Sequence, residues 1–135
     1  MNKFLTHYKS NKNIVYSCKY HIIWCTKYRR DIIKNNIEED LKNIIQNVAN
    51  DLNVEVLEIE TMPDHVHLLV DVDPQFGVHK FIKRVKGKSS RILRDKYQSI
   101  RKRVPTLWTN SYFVNSVGGA TLDVIKKYIE DQKNV

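Results

Sequence analysis

The sequence predicts an α+β fold: a ferredoxin-like or RRM-like antiparallel sheet with helices on one face, plus a further helix at the C-terminus. Three observations predict it. The elements run β, α, β, β, α, β, α; strand candidates show period-two apolar alternation or β-branched and aromatic enrichment; and three segments carry apolar residues at helical spacing. In residues 13–25 (NIVYSCKYHIIWC), Tyr16, Cys18, Tyr20, Ile22 and Trp24 share one strand face, while Ser17, Lys19 and His21 share the other. Over 32–52, Ile37, Leu41, Ile44, Ile45, Val48 and Leu52 recur at helical spacing, with Glu38, Glu39 and Asp40 at the end where the helix dipole favours them.

Segments 54–62 and 65–73 form a hairpin around Pro63-Asp64, a pair suited to a tight turn. A second helix follows over 76–97, with a stripe of Val78, Phe81, Ile82, Val85, Ile92 and Leu93. Gly87 weakens it by about 1 kcal/mol relative to Ala. After Pro105 comes a strand region around Trp108 and 112–117, then a Gly118-Gly119 break and an amphipathic helix from about Thr121 onward. With 135 residues and 41% hydrophobic content, one core and one domain, 1–135, are expected.

Charge narrows the partners. The net charge is +8, yet residues 80–103 hold eleven Lys and Arg against Asp95 alone, a local +10 that leaves −2 for the remainder. Such a concentration suits a polyanion, because neutralising phosphates releases counterions. Lys27, Arg29 and Arg30 form a smaller cluster. No apolar run approaches the ~18–20 residues of a membrane span, and the N-terminus lacks an apolar signal core, so a cytoplasmic protein without membrane contact is expected. Cys18 and Cys25, seven apart in neither C-x-x-C nor paired zinc spacing, read as buried, reduced thiols.

In TMPDHVHLLVDVDP, Val66, Leu68, Val70 and Val72 alternate with His65, His67, Leu69 and Asp71, so the face opposite the core presents two imidazoles side by side. Two histidines so placed can ligate one metal, but a hard divalent ion also needs oxygen. Glu58, Glu60, Asp64, Asp71 and the C-terminal helix offer it. On that helix Tyr128 and Gln132 are four apart, hence on one side, next to an apolar stripe of Leu122, Ile125 and Ile129. Lys126 and Lys127 read as a solvent-facing pair.

These residues carry a resemblance. His65-Val66-His67 on a strand, Tyr128 with Gln132 on a late helix, YHIIWCTKYRR, FIKRVKGKSSRILR and PTLWTNSYFVNSVGGA together make the chain, from about Tyr8 to Gln132, similar to the small single-tyrosine HUH transposases of bacterial and archaeal insertion sequences. The resemblance implies a DNA transposase that cleaves and rejoins single-stranded transposon ends folded into hairpins. By that resemblance His65, His67 and Gln132 would hold Mg²⁺ or Mn²⁺, and Tyr128 on the catalytic C-terminal helix would form a 5′-phosphotyrosine, leaving a free 3′-OH. No nucleotide cofactor is implied. It further implies a homodimer in which the tyrosine helix of each subunit completes the site of the other, with Gly118-Gly119 permitting its movement.

Lys83, Arg84, Lys86, Lys88 and Arg91 are candidate DNA-backbone contacts. Trp24, Trp108, Tyr20 and Tyr112 are candidate stacking residues, with the core favoured for Trp24 and Tyr20. His21 and Lys19 could flank the metal site. Two alternatives stay open: a non-catalytic RRM-like nucleic-acid-binding module, against which stands the lack of an RNP-type aromatic segment, and an HUH nuclease of replication-initiator or domesticated type.

Overall fold

A computed structural model describes residues 8–117 and 122–135. Gly118-Gly119, at which the resemblance implies a movable joint, lies outside the described residues. The order is β1 (Lys9–Ser10), β2 (Val15–Tyr16), β3 (Lys19–Cys25), α1 (Asn35–Asp51), β4 (Glu55–Met62), β5 (His65–Asp71), α2 (Val78–Lys96), α3 (Gln98–Arg103), β6 (Phe113–Ser116) and α4 (Leu122–Glu130). Four strands pair antiparallel in the order β4-β5-β3-β6, and β1 and β2 form a separate ribbon.

The predicted α+β class, order and hairpin are present, with four physical differences. First, the strand expected over 13–25 is interrupted between Tyr16 and Lys19. The Cys18 amide donates to the Asp71 carboxylate at 2.9 Å, and the Cys18 carbonyl takes the Val72 amide. Second, α1 starts at Asn35 rather than 32, because the Ile32 and Ile33 amides both go to the Pro63 carbonyl while their side chains fill the core. Third, β4 carries a bulge between Val56 and Glu58, which turns Val56 and Ile59 to the core and leaves Leu57 exposed. Fourth, the basic run after Tyr97 forms its own short helix, α3.

Alternation then sorts the sheet into two faces. Ile22, Trp24, Val66, Leu68 and Val70 are fully buried in the core with Leu41, Ile45 and Val48 of α1 and Phe81, Ile82 and Val85 of α2. The opposite face holds His21, Ile23 and Cys25 of β3, which pair across the sheet with Leu69, His67 and His65. Ile23 and Cys25 are nevertheless fully buried, and α4 packs against their strand. The two cysteines are free; Cys18, expected to be buried, is only partly so where the strand breaks, whereas Cys25 is buried, and burial pushes its thiol up to about 11, so it stays protonated. Among the described residues no helix is long and apolar enough to cross a membrane.

Candidate functional site

Strand β5 delivers His65 and His67 to the open face, as the alternation requires. The His65 Nδ1–H donates to the Asp64 Oδ1 at 2.8 Å, a contact that fixes the ring and leaves the lone pair on Nε2. Arg29 holds the other oxygen of Asp64 at 2.9 Å and reaches Glu130 of α4 at 3.4 Å. One guanidinium therefore ties the residue before His65 to the C-terminal helix. Tyr28 and Arg29 both adopt left-handed backbone, φ 58° and 51°, a conformation costly for non-glycine residues that here aims Arg29 at its two carboxylates. Burial alone would raise the Asp64 carboxyl, but its bonds from His65 and Arg29 hold it below the usual range.

His67 lies between two groups. Its Nε2 is 3.0 Å from the His21 Nδ1, and its Nδ1 is 3.7 Å from the Glu60 Oε2. Burial, with His21 adding to it, lowers the His67 pKa, so the ring is neutral near pH 7 and one of its nitrogens carries a lone pair, the state a cation ligand needs. His21 thus flanks His67, as anticipated, whereas Lys19 makes no hydrogen bond or ion pair to the histidines among the described residues.

Helix α4 approaches the same face from the β6 side. Phe113 pairs with Ile23, which pairs with His67, and the Tyr128 ring lies 5.4 Å from Phe113. The helix expected to carry both Tyr128 and Gln132 ends at Glu130, and Gln132 lies in the turn beyond it, its amide donating to the Ile129 carbonyl at 3.2 Å. Ser111 collects both side chains: its Oγ is 3.1 Å from the Tyr128 oxygen and donates to the Gln132 Oε1 at 3.0 Å. Burial raises the Tyr128 pKa, while the Ser111 bond acts in the opposite direction. Lys127 turns to Asp131 at 3.5 Å, on the exposed side of the helix, so it belongs to solvent as expected.

The donor set fits a divalent cation in its chemistry: two imidazoles on one strand face, one with its tautomer set by a carboxylate, and the amide oxygen of Gln132, which accepts from Ser111. Among the described residues no group of three or more His, Cys, Asp or Glu side chains is arranged to hold a metal by itself. Of the oxygen candidates, Glu60 stands beside His67 and Glu58 shares its face. Asp64 is already held by His65 and Arg29. Asp71 does not serve: it is 2% exposed and accepts from the Cys18 amide.

The basic segment also divides. Lys83, Arg84, Lys88 and Arg91 line a groove of about 630 Å³ along α2, together with Phe76 and Lys80. Lys86 points elsewhere, its Nζ donating to the Thr109 and Ser111 carbonyls at 2.7 and 2.9 Å. Arg94, Arg101 and Arg103 bond backbone carbonyls, and Lys96 pairs with Asp40. Of the stacking candidates, Trp24 and Trp108 are both buried and meet edge-to-face at 5.8 Å, with the Trp108 indole donating to Ser89, so neither is open to a base. Tyr20 packs against the core, and Tyr112 bonds His79 at 2.6 Å.

Burial pushes the Lys86 ammonium from its ordinary 10.5 down to about 8. Between those values the unfolded chain holds a proton that the folded chain has released, so this residue makes stability rise with pH across the window. Urea titrations of wild type and Lys86→Met should therefore diverge in favour of wild type from pH 8 to 10. A stability difference that stays flat over that range contradicts the buried ammonium.

Sequence reasoning missed the part played by Ser111, although it lies within PTLWTNSYFVNSVGGA, and that of Arg29, whose sequence signal was only a small basic cluster. A family model described as "Transposase IS200 like" matches residues 14–132. The ISDra2 transposase TnpA of Deinococcus radiodurans is 37% identical over 126 residues, covering 92% of this chain and 90% of that protein. The transposase for insertion sequence element IS200 of Salmonella typhimurium is 32% identical over 130 residues, 93% of this chain and 86% of that one. A crystal structure of a candidate transposase from Deinococcus radiodurans R1 superposes with a TM-score of 0.85 at 34% identity, covering 94% of this chain and 99% of that chain. A REP-associated tyrosine transposase bound to a REP hairpin shares the fold, with a TM-score of 0.56 at 11% identity over 90% of this chain and 68% of that one.

Proposed function

Because this chain belongs to the family of IS200-like transposases, we propose that it cleaves and rejoins hairpin-bearing single-stranded transposon ends through a 5′-phosphotyrosine on Tyr128. The observation that supports this reading is that His65 and His67 lie on the sheet face against which the Tyr128 ring packs through Phe113, with Arg29 linking Asp64 to Glu130. The Tyr128 oxygen attacks the scissile phosphorus and gives up its proton. The bond to the 3′ oxygen breaks, that oxygen takes a proton, and the DNA 5′ phosphate stays on the tyrosine. Rejoining is the reverse attack by a 3′-OH, with no ATP, since the phosphotyrosine conserves the energy of the broken diester.

His65, His67 and Gln132 are the residues that would hold Mg²⁺ or Mn²⁺, which when bound supplies positive charge to the phosphate oxygens. The chain's own groups then orient the reaction: Asp64 and Arg29 fix the first histidine, and Ser111 fixes the tyrosine. In this chain α4 rests on its own β3. A homodimer exchanging these helices would use the same surface, an element exchange of low cost between identical chains. The bound REP hairpin of the remote structural relative supports a hairpin substrate here. The reading is tested by incubating hairpin-ended single strands with the protein and Mg²⁺, denaturing, and mapping the adduct. A 5′-phosphate on Tyr128 is expected, and cleavage with no protein-linked strand overturns the reading.

The α2 groove gives a separate expectation. Phosphates held by Lys83 and Arg84 release counterions at about 0.9 per contact on duplex DNA, so Lys83→Ala with Arg84→Ala should reduce the slope of log affinity against log salt by about 2 on a hairpin stem. Fluorescence anisotropy over a salt series measures it. An unchanged slope removes both residues from the interface.

A further inference from the structure

We propose that Ser111 is a positioning residue for the strand-transfer reaction, one hydroxyl that sets the direction of both Tyr128 and Gln132 from a platform built by Lys86 and Thr109. The inference rests on the reading of Tyr128 and Gln132 given above and adds to it a residue to which no role has been given.

Proton counting carries the first part. The Ser111 hydroxyl has a single proton and donates it to the Gln132 Oε1, an oxygen that only accepts. Its 3.1 Å contact with Tyr128 is therefore accepted from the phenol. Among the described residues Ser111 is the hydrogen-bond partner of the Tyr128 oxygen. Tyr128 of α4 and Gln132 of the turn that follows it thus meet at one atom, which ties the turn to the helix. The oxygen of Gln132 so directed is the one offered to the cation, and the oxygen of Tyr128 is the one that attacks.

The second part is that Ser111 is itself held. The Lys86 ammonium takes the Ser111 and Thr109 carbonyls at 2.9 and 2.7 Å. The Thr109 amide donates to the Cys25 carbonyl at 3.1 Å, and Thr109 is 1% exposed. The loop is accordingly pinned to α2 on one side and to the end of β3, beside His65, on the other. Though exposed, a serine whose backbone is fixed this way relates the nucleophile helix to the histidine strand.

The test uses the full chain and three variants. In Ser111→Ala, amides of α4 exchange with deuterium about two- to tenfold faster than in wild type, as loss of one or two hydrogen bonds predicts. Amides of β3 and β5 keep their protection. Tyr128→Phe loosens α4 in the same way with Ser111 intact. In hairpin cleavage, Ser111→Ala lowers kcat by about tenfold with KM nearly unchanged, because the loss is in orientation rather than DNA contact. Ser111→Thr, which keeps the hydroxyl, restores both readouts. Unchanged α4 exchange in Ser111→Ala, or a kcat deficit that Ser111→Thr does not repair, overturns the proposal. If Tyr128→Phe cleaves normally, the chemistry assigned to Tyr128 fails, while the exchange measurement still decides whether Ser111 positions α4.

Discussion

Tyr128→Phe leaves no protein–DNA adduct on a hairpin-ended single strand and lowers cleavage by at least ~10³-fold, the scale of removing a covalent nucleophile. The substitution is narrow in its physical effect. Phenylalanine keeps the ring that lies 5.4 Å from Phe113 and loses the oxygen that stands 3.1 Å from Ser111. The hydrophobic face of α4 is unaltered, and the basic groove along α2 is on a different element. Hairpin affinity therefore stays within about twofold of wild type, since phosphate contacts rather than the nucleophile set it. The one hydroxyl beside the lost oxygen belongs to Ser111, which already donates to Gln132. Denaturing gels of labelled 5′ fragments measure the adduct, and its persistence in the Phe variant removes Tyr128 from its role.

The sheet was legible because its two key strands announce their faces. In HVHLLVD every second residue is apolar and fully buried, so the histidines had to lie on the other side. Helical spacing paired Tyr128 with Gln132, but the helix ends at Glu130 and Gln132 sits in the turn beyond; what brings the two side chains together is their shared contact with Ser111. What sequence could not supply were partners distant along the chain. The Ile32 and Ile33 amides are taken by Pro63, which shortens α1 at its start, and no local propensity signals that. Ser111 lies 17 residues from Tyr128 in a loop without periodicity. Lys86 is the instructive case, because a signal was present. It is four residues after Ile82 and three before Ser89, both buried, so helical geometry places it on the inner edge of α2 while Lys83 and Arg84 face outward. Counting charge along the segment hid that division; plotting it around the helix would have separated the groove lysines from the one spent on Thr109 and Ser111.

His67→Ala lowers cation-dependent cleavage by roughly 10²-fold or more, because it removes one of two imidazoles from the candidate donor set, while hairpin binding without cation is retained. The site explains why the effect is specific to chemistry. His67 sits at the centre of β5 on the open face, with its strand neighbours Val66 and Leu68 carrying the core, so a smaller side chain there opens no cavity in the main core. Its imidazole is held between His21 at 3.0 Å and Glu60 at 3.7 Å. Burial keeps it neutral near pH 7, the state a ligand must have. Calorimetric titration with Mn²⁺ provides the readout independent of turnover: affinity should weaken by about 10- to 100-fold or more in His67→Ala. His21→Ala separates the ligand from its neighbour, since it frees the His67 Nε2 without removing any member of the candidate donor set, and its Mn²⁺ affinity should be no weaker than wild type. Normal cleavage by His67→Ala in Mg²⁺, or Mn²⁺ binding that depends on His21 and not on His67, would move the cation from the β5 histidines to the β3 side of the face.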